Sequence, residues 1–147
     1  MVWKPHVTVV AVIQRDNQFL LVEEHTNVGL RFNQPAGHLE AGESLVAAVI
    51  RETFEESAYH FLPTALVGIY QWYQAEHDRT YLRFAFTGEI AGHDADSPLD
   101  TGIVRAVWQD VDAIRASADR HRSPLVLHCI DDYLRGTRYP LATISTY

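Results

Sequence analysis

Apolar and polar positions divide the chain into short stretches of two kinds. Residues 6–13 (HVTVVAVI) are rich in β-branched side chains, residues 19–24 (FLLVEE) open on an apolar run, and each stretch predicts a strand. Arg15-Asp16-Asn17-Gln18 between them is turn-like, so the two strands are predicted to form a hairpin. Residues 26–37 carry no sustained period and are predicted to be mostly loop. Two further strands are predicted at 65–74 and 80–90, joined by the polar segment 75–79. Residues 92–102 are acidic and turn-rich, and 103–108 predict a short strand. Helical patterning falls in three places. The first is 44–58. The second is 111–117, with Asp110 as its cap. The third opens at Ser123 and Pro124, runs to about Leu134 and stops at Gly136. Nothing repeats internally and nothing resembles a linker. Strands and helices mixed in this way imply an α/β sandwich with a mixed sheet.

The helix over 44–58 has two unlike sides. At roughly 100° per residue, Glu56 lies about 40° to one side of Glu52 and Glu55 about 60° to the other. Val46, Ile50 and Phe54 project from the opposite side, with Ala47 and Thr53 beside them. The expectation is an apolar face for the core and an acidic face for something else. Glu43 or Ser44 can cap the start. The acidic cluster sits near the C-terminal end, where the macrodipole opposes negative charge, so helix stability alone would not place it there. Like charges on one helix face repel, and a hard cation turns that repulsion into attraction. The pattern points to magnesium, with manganese as a substitute, and through it to phosphate chemistry. A bare E-x-x-E-E is also a common solvated surface.

Composition narrows the setting. A length of 147 residues predicts one domain with a sizeable core. A net charge of −7 argues against an electrostatic grip on long nucleic acid but admits small polyphosphates carrying a metal. No apolar run is long enough to span a membrane, and the N-terminus lacks a signal-peptide pattern. The one cysteine, Cys129, cannot pair internally; it is expected as a small buried residue on a helix, in a protein of the cytoplasm.

Residues 37–59, GHLEAGESLVAAVIRETFEESAY, follow the pattern G-x5-E-x7-R-E-U-x-E-E-x-G-U, where U is apolar. Gly37, Glu43, Arg51, Glu52, Glu55 and Glu56 all match. Ala58 stands in place of the second glycine, Thr53 replaces an apolar residue, and Tyr59 fills the last position loosely. The segment resembles the box of the Nudix hydrolases. Further segments spread the likeness along the chain, in particular to the NudJ-type branch of that family: Lys4-Pro5-His6-Val7-Thr8-Val9, Asn33 to Ala41, Arg122-Ser123-Pro124-Leu125-Val126 and Arg138-Tyr139-Pro140-Leu141.

The resemblance implies one Nudix domain over 1–147, folded as an α/β/α sandwich with a mixed β-sheet. It implies metal ligation by Glu52, Glu55 and Glu56 with the backbone carbonyl of Ala36. Arg51 would orient the glutamates, and Glu43 would cap the helix or pair with Arg51. The implied reaction is attack of water on phosphorus with a carboxylate as base, either a box glutamate or one from elsewhere. Glu89 is the outside candidate, with a solvated strand-end glutamate as its alternative. The branch implies nucleoside tri- and diphosphates and hydroxymethylpyrimidine pyrophosphate as substrates. Other linked nucleoside diphosphates such as ADP-ribose, RNA decapping, and a non-catalytic nucleotide-sensing module remain as alternatives.

Outside the box, His38 can touch phosphate or serve structure. Trp72, Tyr73 and Phe32 can stack a heteroaromatic ring or fill core. Arg83 can meet a phosphate as a charged fork or pair on the sheet face. The helix start at Ser123 is a further possible anion site. The eight histidines are scattered without H-x-x-x-H spacing or a cysteine partner, which argues against zinc. Partners are expected to be small nucleotides or pyrophosphates, with the protein a monomer or homodimer.

Overall fold

The computed structural model describes residues 1–147. The run Val9-Val10-Ala11-Val12-Ile13 sets the architecture, because consecutive residues of an extended chain point to opposite faces. Val9, Ala11 and Ile13 enter one core with Leu20, Leu66, Phe86 and the helix residues Ala48 and Val49. Val10 and Val12 enter a second core with Phe19, Leu21, Val67, Ala85, Ile114, Cys129 and Ile130. Strands covered on both faces lose the apolar/polar alternation and read as continuous apolar runs. The result is the expected layering of helix, sheet and helix, with Cys129 buried as predicted.

Two sheets share this interior. The larger contains β1 (His6–Ala11), β5 (Ala36–His38), β6 (Tyr59–Gln74), β7 (Arg79–His93) and β9 (Tyr139–Pro140), in the order β5-β1-β7-β6-β9. It is mixed, since β1 runs parallel to β7 and the other pairs are antiparallel. The smaller centres on β3 (Gln18–Thr26), which pairs with β2 (Gln14–Arg15), β4 (Gly29–Asn33) and β8 (Ile103–Asp110). Helix α1 (Leu45–Ser57) packs on β1, β5 and β6. Helices α2 (Val111–Ala116) and α3 (Leu125–Leu134) close the second core. No helix is long and apolar enough to cross a membrane.

Three expectations change. Residues 6–13 and 19–24 do not form one hairpin. The Asp16-Asn17 turn, with both residues left-handed (φ 52 and 62), closes only the short β2 against β3, and β1 leaves for the other sheet. Its doubly apolar run needs a strand position covered on both sides. Residues 26–37 are not mostly loop, since β4 and β5 lie there. β4 turns straight back on β3, with Thr26 opposite Gly29, whereas the partner of β5 is the distant β1.

The third change concerns α1. Ser44 caps it, its Oγ accepting the Ala47 N–H at 3.0 Å. Its buried side is Ala48, Val49, Thr53 and Ser57 together with Glu52 and Glu56. Ile50 is exposed, and Phe54 stacks on His60 at 4.8 Å instead of entering a core. The acidic and core faces therefore overlap, because small residues let the helix sit close to the strands beneath.

Ala58 ends α1 in a left-handed conformation (φ 61), its N–H bonded to the Phe54 carbonyl at 2.8 Å. That conformation costs alanine about 1–2 kcal/mol. Against it stand a buried methyl, about 0.8 kcal/mol, and the backbone entropy of glycine, about 0.5–1 kcal/mol. Ala58→Gly is thus expected to shift unfolding free energy by less than about 1 kcal/mol in denaturant melts. A loss above about 2 kcal/mol would show instead that the methyl locks the helix exit.

Candidate active site

Strand β5 passes beside α1 at a separation that admits no side chain on Gly37. A Cβ there would lie 2.0 Å from the Glu52 carboxyl carbon, so the glutamate occupies the space that glycine leaves. One residue earlier, the Ala36 N–H donates to Glu56 Oε1 at 2.9 Å. Antiparallel pairing with β1, Ala36 against Val10 and Gly37 against Val9, fixes both contacts.

Arg51 ties the rest together. Its guanidinium donates to both oxygens of Glu43 at 2.7 and 3.0 Å, a bidentate pair. It also reaches Glu52 at 2.8 Å, Glu55 at 3.2 Å and the His38 carbonyl at 3.1 Å. Glu43 in turn accepts the Glu40 N–H at 2.8 Å. Glu43 is therefore a partner of Arg51 and a brace for the loop, while the helix cap is Ser44.

A fourth carboxylate completes the cluster. Oxygens of Glu52, Glu55 and Asp100 lie within 4.8 Å of one another. The acidic loop after β7 folds back over the end of α1. There the N–H groups of Asp94 and Asp100 satisfy the Ala58 and Glu55 carbonyls at 2.9 Å each. In the sequence this loop stands out only as acidic and turn-rich. Which of its carboxylates returns to the helix depends on those long-range hydrogen bonds.

Burial dominates the electrostatics. It pushes the Glu56 carboxyl up to about 8, with the charges of Glu24, Glu52 and Asp100 adding and the Ala36 N–H opposing. Burial also raises Glu52, against the pull of Arg51. Hydrogen bonding to Arg51 lowers Glu43, and Glu43 raises Arg51. The donor set is all oxygen and anionic, which suits a hard divalent cation. The cluster can bind such an ion at Glu52, Glu55 and Asp100, with Glu56 alongside.

Glu52 and Glu56, but not Glu55 or Asp100, open on a cleft of about 890 Å³ whose walls also include Ala36, His38, Trp72 and Arg83. Thr8 pairs with His38 on one side and Arg83 on the other, so the three share one sheet face. Trp72 stacks on Tyr81 at 5.8 Å. Burial, then the charges of His6, Arg79 and Arg122, lowers His38 and leaves it neutral at pH 7.

Other candidates fall elsewhere. Glu89 is exposed on β7 opposite Leu62 and does not line the cleft. Six residues of strand separate it from Arg83, about 20 Å. The strand was predicted, but which of its residues line the cleft depends on its pairing with β1. Tyr73 points to the other face and bonds Asp78 at 2.9 Å. Phe32 is core, under the Arg120 guanidinium. Ser123 lines the cleft, and its hydroxyl accepts the Leu125 N–H at 3.2 Å just ahead of α3.

Fold and site together define a phosphoanhydride hydrolase scaffold, and comparison with known proteins agrees. Residues 4–129 match the NUDIX domain, and the chain belongs to the Nudix family. It is 40% identical over 145 residues to phosphatase NudJ of Escherichia coli strain K12 and to that of Shigella flexneri. Each match spans 99% of this chain and 94% of the relative. A NUDIX hydrolase from Nitrosomonas europaea is 52% identical, with a TM-score of 0.96 over 98% of both chains. The NUDIX domain of Shewanella oneidensis NrtR, solved with ADP ribose, shares the fold at 16% identity. Its TM-score is 0.73 over 92% of this chain and 90% of that one. The protein is accordingly an enzyme of the pyrophosphohydrolase or phosphatase class.

Two outcomes follow from this geometry. In EDTA, the folded protein holds Glu56 protonated up to about pH 8, whereas an unfolded chain ionises it near 4.5. Stability therefore falls as pH rises through that window. His38 and His121, both shifted down, act in the opposite sense only below about 6.5. Between pH 6.5 and 8, melting should reveal a loss of about 2 kcal/mol that shrinks in Glu56→Gln; a pH-independent melting temperature contradicts the assignment. Gly37→Ala should displace the Glu52 carboxylate, weakening divalent-cation binding about tenfold or more while the protein stays folded. Calorimetric titration with magnesium checks this, and unchanged affinity counts against it.

Proposed function

We propose that this protein is a magnesium-dependent hydrolase, with manganese as a substitute, that cleaves phosphoanhydride bonds. Its substrates would be nucleoside tri- and diphosphates or hydroxymethylpyrimidine pyrophosphate. The observation that carries this reading is the buried Glu56 carboxylate. It is held against Ala36 beside Glu52, in a cleft that also offers basic and aromatic groups. The near full-length likeness to phosphatase NudJ supports the substrate class.

In this reading Glu52, Glu55 and Glu56, with the Ala36 carbonyl, hold the cation, and Asp100 supplies a further oxygen. When bound there, such an ion would neutralise phosphate oxygens and lower the pKa of water. Arg51 keeps the glutamates in place. A carboxylate of the cluster takes the proton of the attacking water; Glu89 does not line the cleft. His38, Trp72 and Arg83 face the substrate. The reading treats residues 1–147 as one domain, cytoplasmic, monomeric or homodimeric, and engaging neither membranes nor long nucleic acid.

A panel of nucleotides and pyrophosphates, assayed with magnesium and with products identified, tests this directly. Turnover should require the metal, and Glu56→Gln should lower kcat about 10²-fold or more while remaining folded. Tight binding without turnover across the panel would favour a nucleotide-sensing module. Wild-type turnover in Glu56→Gln would sink the metal assignment.

A further inference from the structure

Arg83 is the only buried basic residue of the chain, at 7% exposure. A buried charge is costly unless paired, yet Arg83 takes part in none of the ion pairs. Its guanidinium has five N–H donors. Two go to neutral acceptors: Asn33 Oδ1 at 3.3 Å and Cys129 Sγ at 3.9 Å. Burial pushes the Cys129 thiol up, so it stays neutral and supplies no counter-charge. Asp132, which closes the same network, is spent on the Tyr70 hydroxyl at 2.5 Å and on Arg135.

The position is fixed from all sides. Arg83 sits on the central strand β7, paired to Thr8 of β1 and Tyr70 of β6. Asn33 comes from β4 and Cys129 from α3, so three elements hold the fork. What remains open is the cleft, whose wall Arg83 forms. Arg31 and Arg79 line the same cleft and likewise enter no ion pair. Glu24, Glu40, Glu52, Glu56 and Glu76 line the cleft too, so what sets these three guanidiniums apart is the lack of a carboxylate partner, not an excess of positive charge. In the row across the sheet, Arg83 stands two strands from His38, about 10 Å between Cα atoms. Phosphate oxygens at the glutamates need a cation between two sets of negative charge. At Arg83 they meet positive charge directly.

We propose that Arg83, held by Asn33 and Cys129, is a metal-independent receptor for a second phosphate group of the substrate, apart from the one at the glutamates. The cleft then favours substrates with an extended phosphate chain over monophosphates. Assigning the anion to the substrate rests on the hydrolase reading; the existence of the receptor does not.

Calorimetric titration of the full chain with inorganic phosphate in EDTA separates the two. Wild type should bind phosphate without metal, Glu56→Gln should retain that binding, and Arg83→Gln should weaken it about tenfold or more. In magnesium assays Arg83→Gln should raise KM for a triphosphate by a larger factor than it lowers kcat. Should Arg83→Gln fail to fold, Asn33→Ala decides, since it keeps the cation but loosens its fork. Binding weakened about threefold or more supports the receptor, and unchanged binding contradicts it. No phosphate binding by wild type, or wild-type binding in Arg83→Gln, overturns the proposal even if the enzyme hydrolyses nucleotides. Metal-free binding as proposed, with no turnover, would instead overturn only the hydrolase reading.

Discussion

Buried negative charge on α1 is the constraint on which the rest of the site depends. Glu52 and Glu56 are each only 9% exposed, with Glu55 and Asp100 close by. Two unit charges 4.8 Å apart repel by about 3 kcal/mol at an effective dielectric of 20. Several such pairs approach the whole stability of a domain, about 5–15 kcal/mol, even after solvent screens the exposed Asp100. Arg51 offsets part of this and is itself anchored by Glu43. The Ala36 N–H offsets another part. What remains must be met by a proton or a cation, and the upward shifts of Glu52 and Glu56 register that need.

The same constraint explains local features that look unrelated. Gly37 is glycine because Glu52 fills its Cβ volume. Ala48, Thr53 and Ser57 are small because α1 must lie close enough for its acids to touch β5. The acidic loop after β7 folds back because the carbonyls at the end of α1 need donors. A helix end that would repel carboxylates is thus built into the place where they converge.

Much of this was legible in the sequence where information is contiguous. The spacing from Gly37 to Glu56 identified the acids, Arg51 and the loop before them. The β-branched run at 6–13 identified a strand, though not that both of its faces are covered. What depends on distant pairing was not legible. The helix wheel put Ile50 and Phe54 on the core side, although burial follows the small residues instead. Asp100 reaches the cluster through the Glu55 carbonyl, and Glu89 stays out of the cleft because register places Tyr81 and Arg83 of β7 there instead. Sharing of one face by His38, Thr8 and Arg83 likewise rests on strand order, which no local period encodes. The candidates Trp72, Arg83 and His38 do meet in one cleft, whereas Phe32 and Tyr73 serve core and surface.

The central claim is that buried, partly protonated carboxylates form the cation site. Proton release on magnesium binding tests it most directly, measured by calorimetry at pH 7 in buffers of different ionisation enthalpy. The account predicts release of close to one proton per ion, because Glu56, pushed up to about 8, must ionise to receive the cation. That release should vanish in Glu56→Gln. Magnesium binding with no proton release, or with release unchanged in Glu56→Gln, would contradict it.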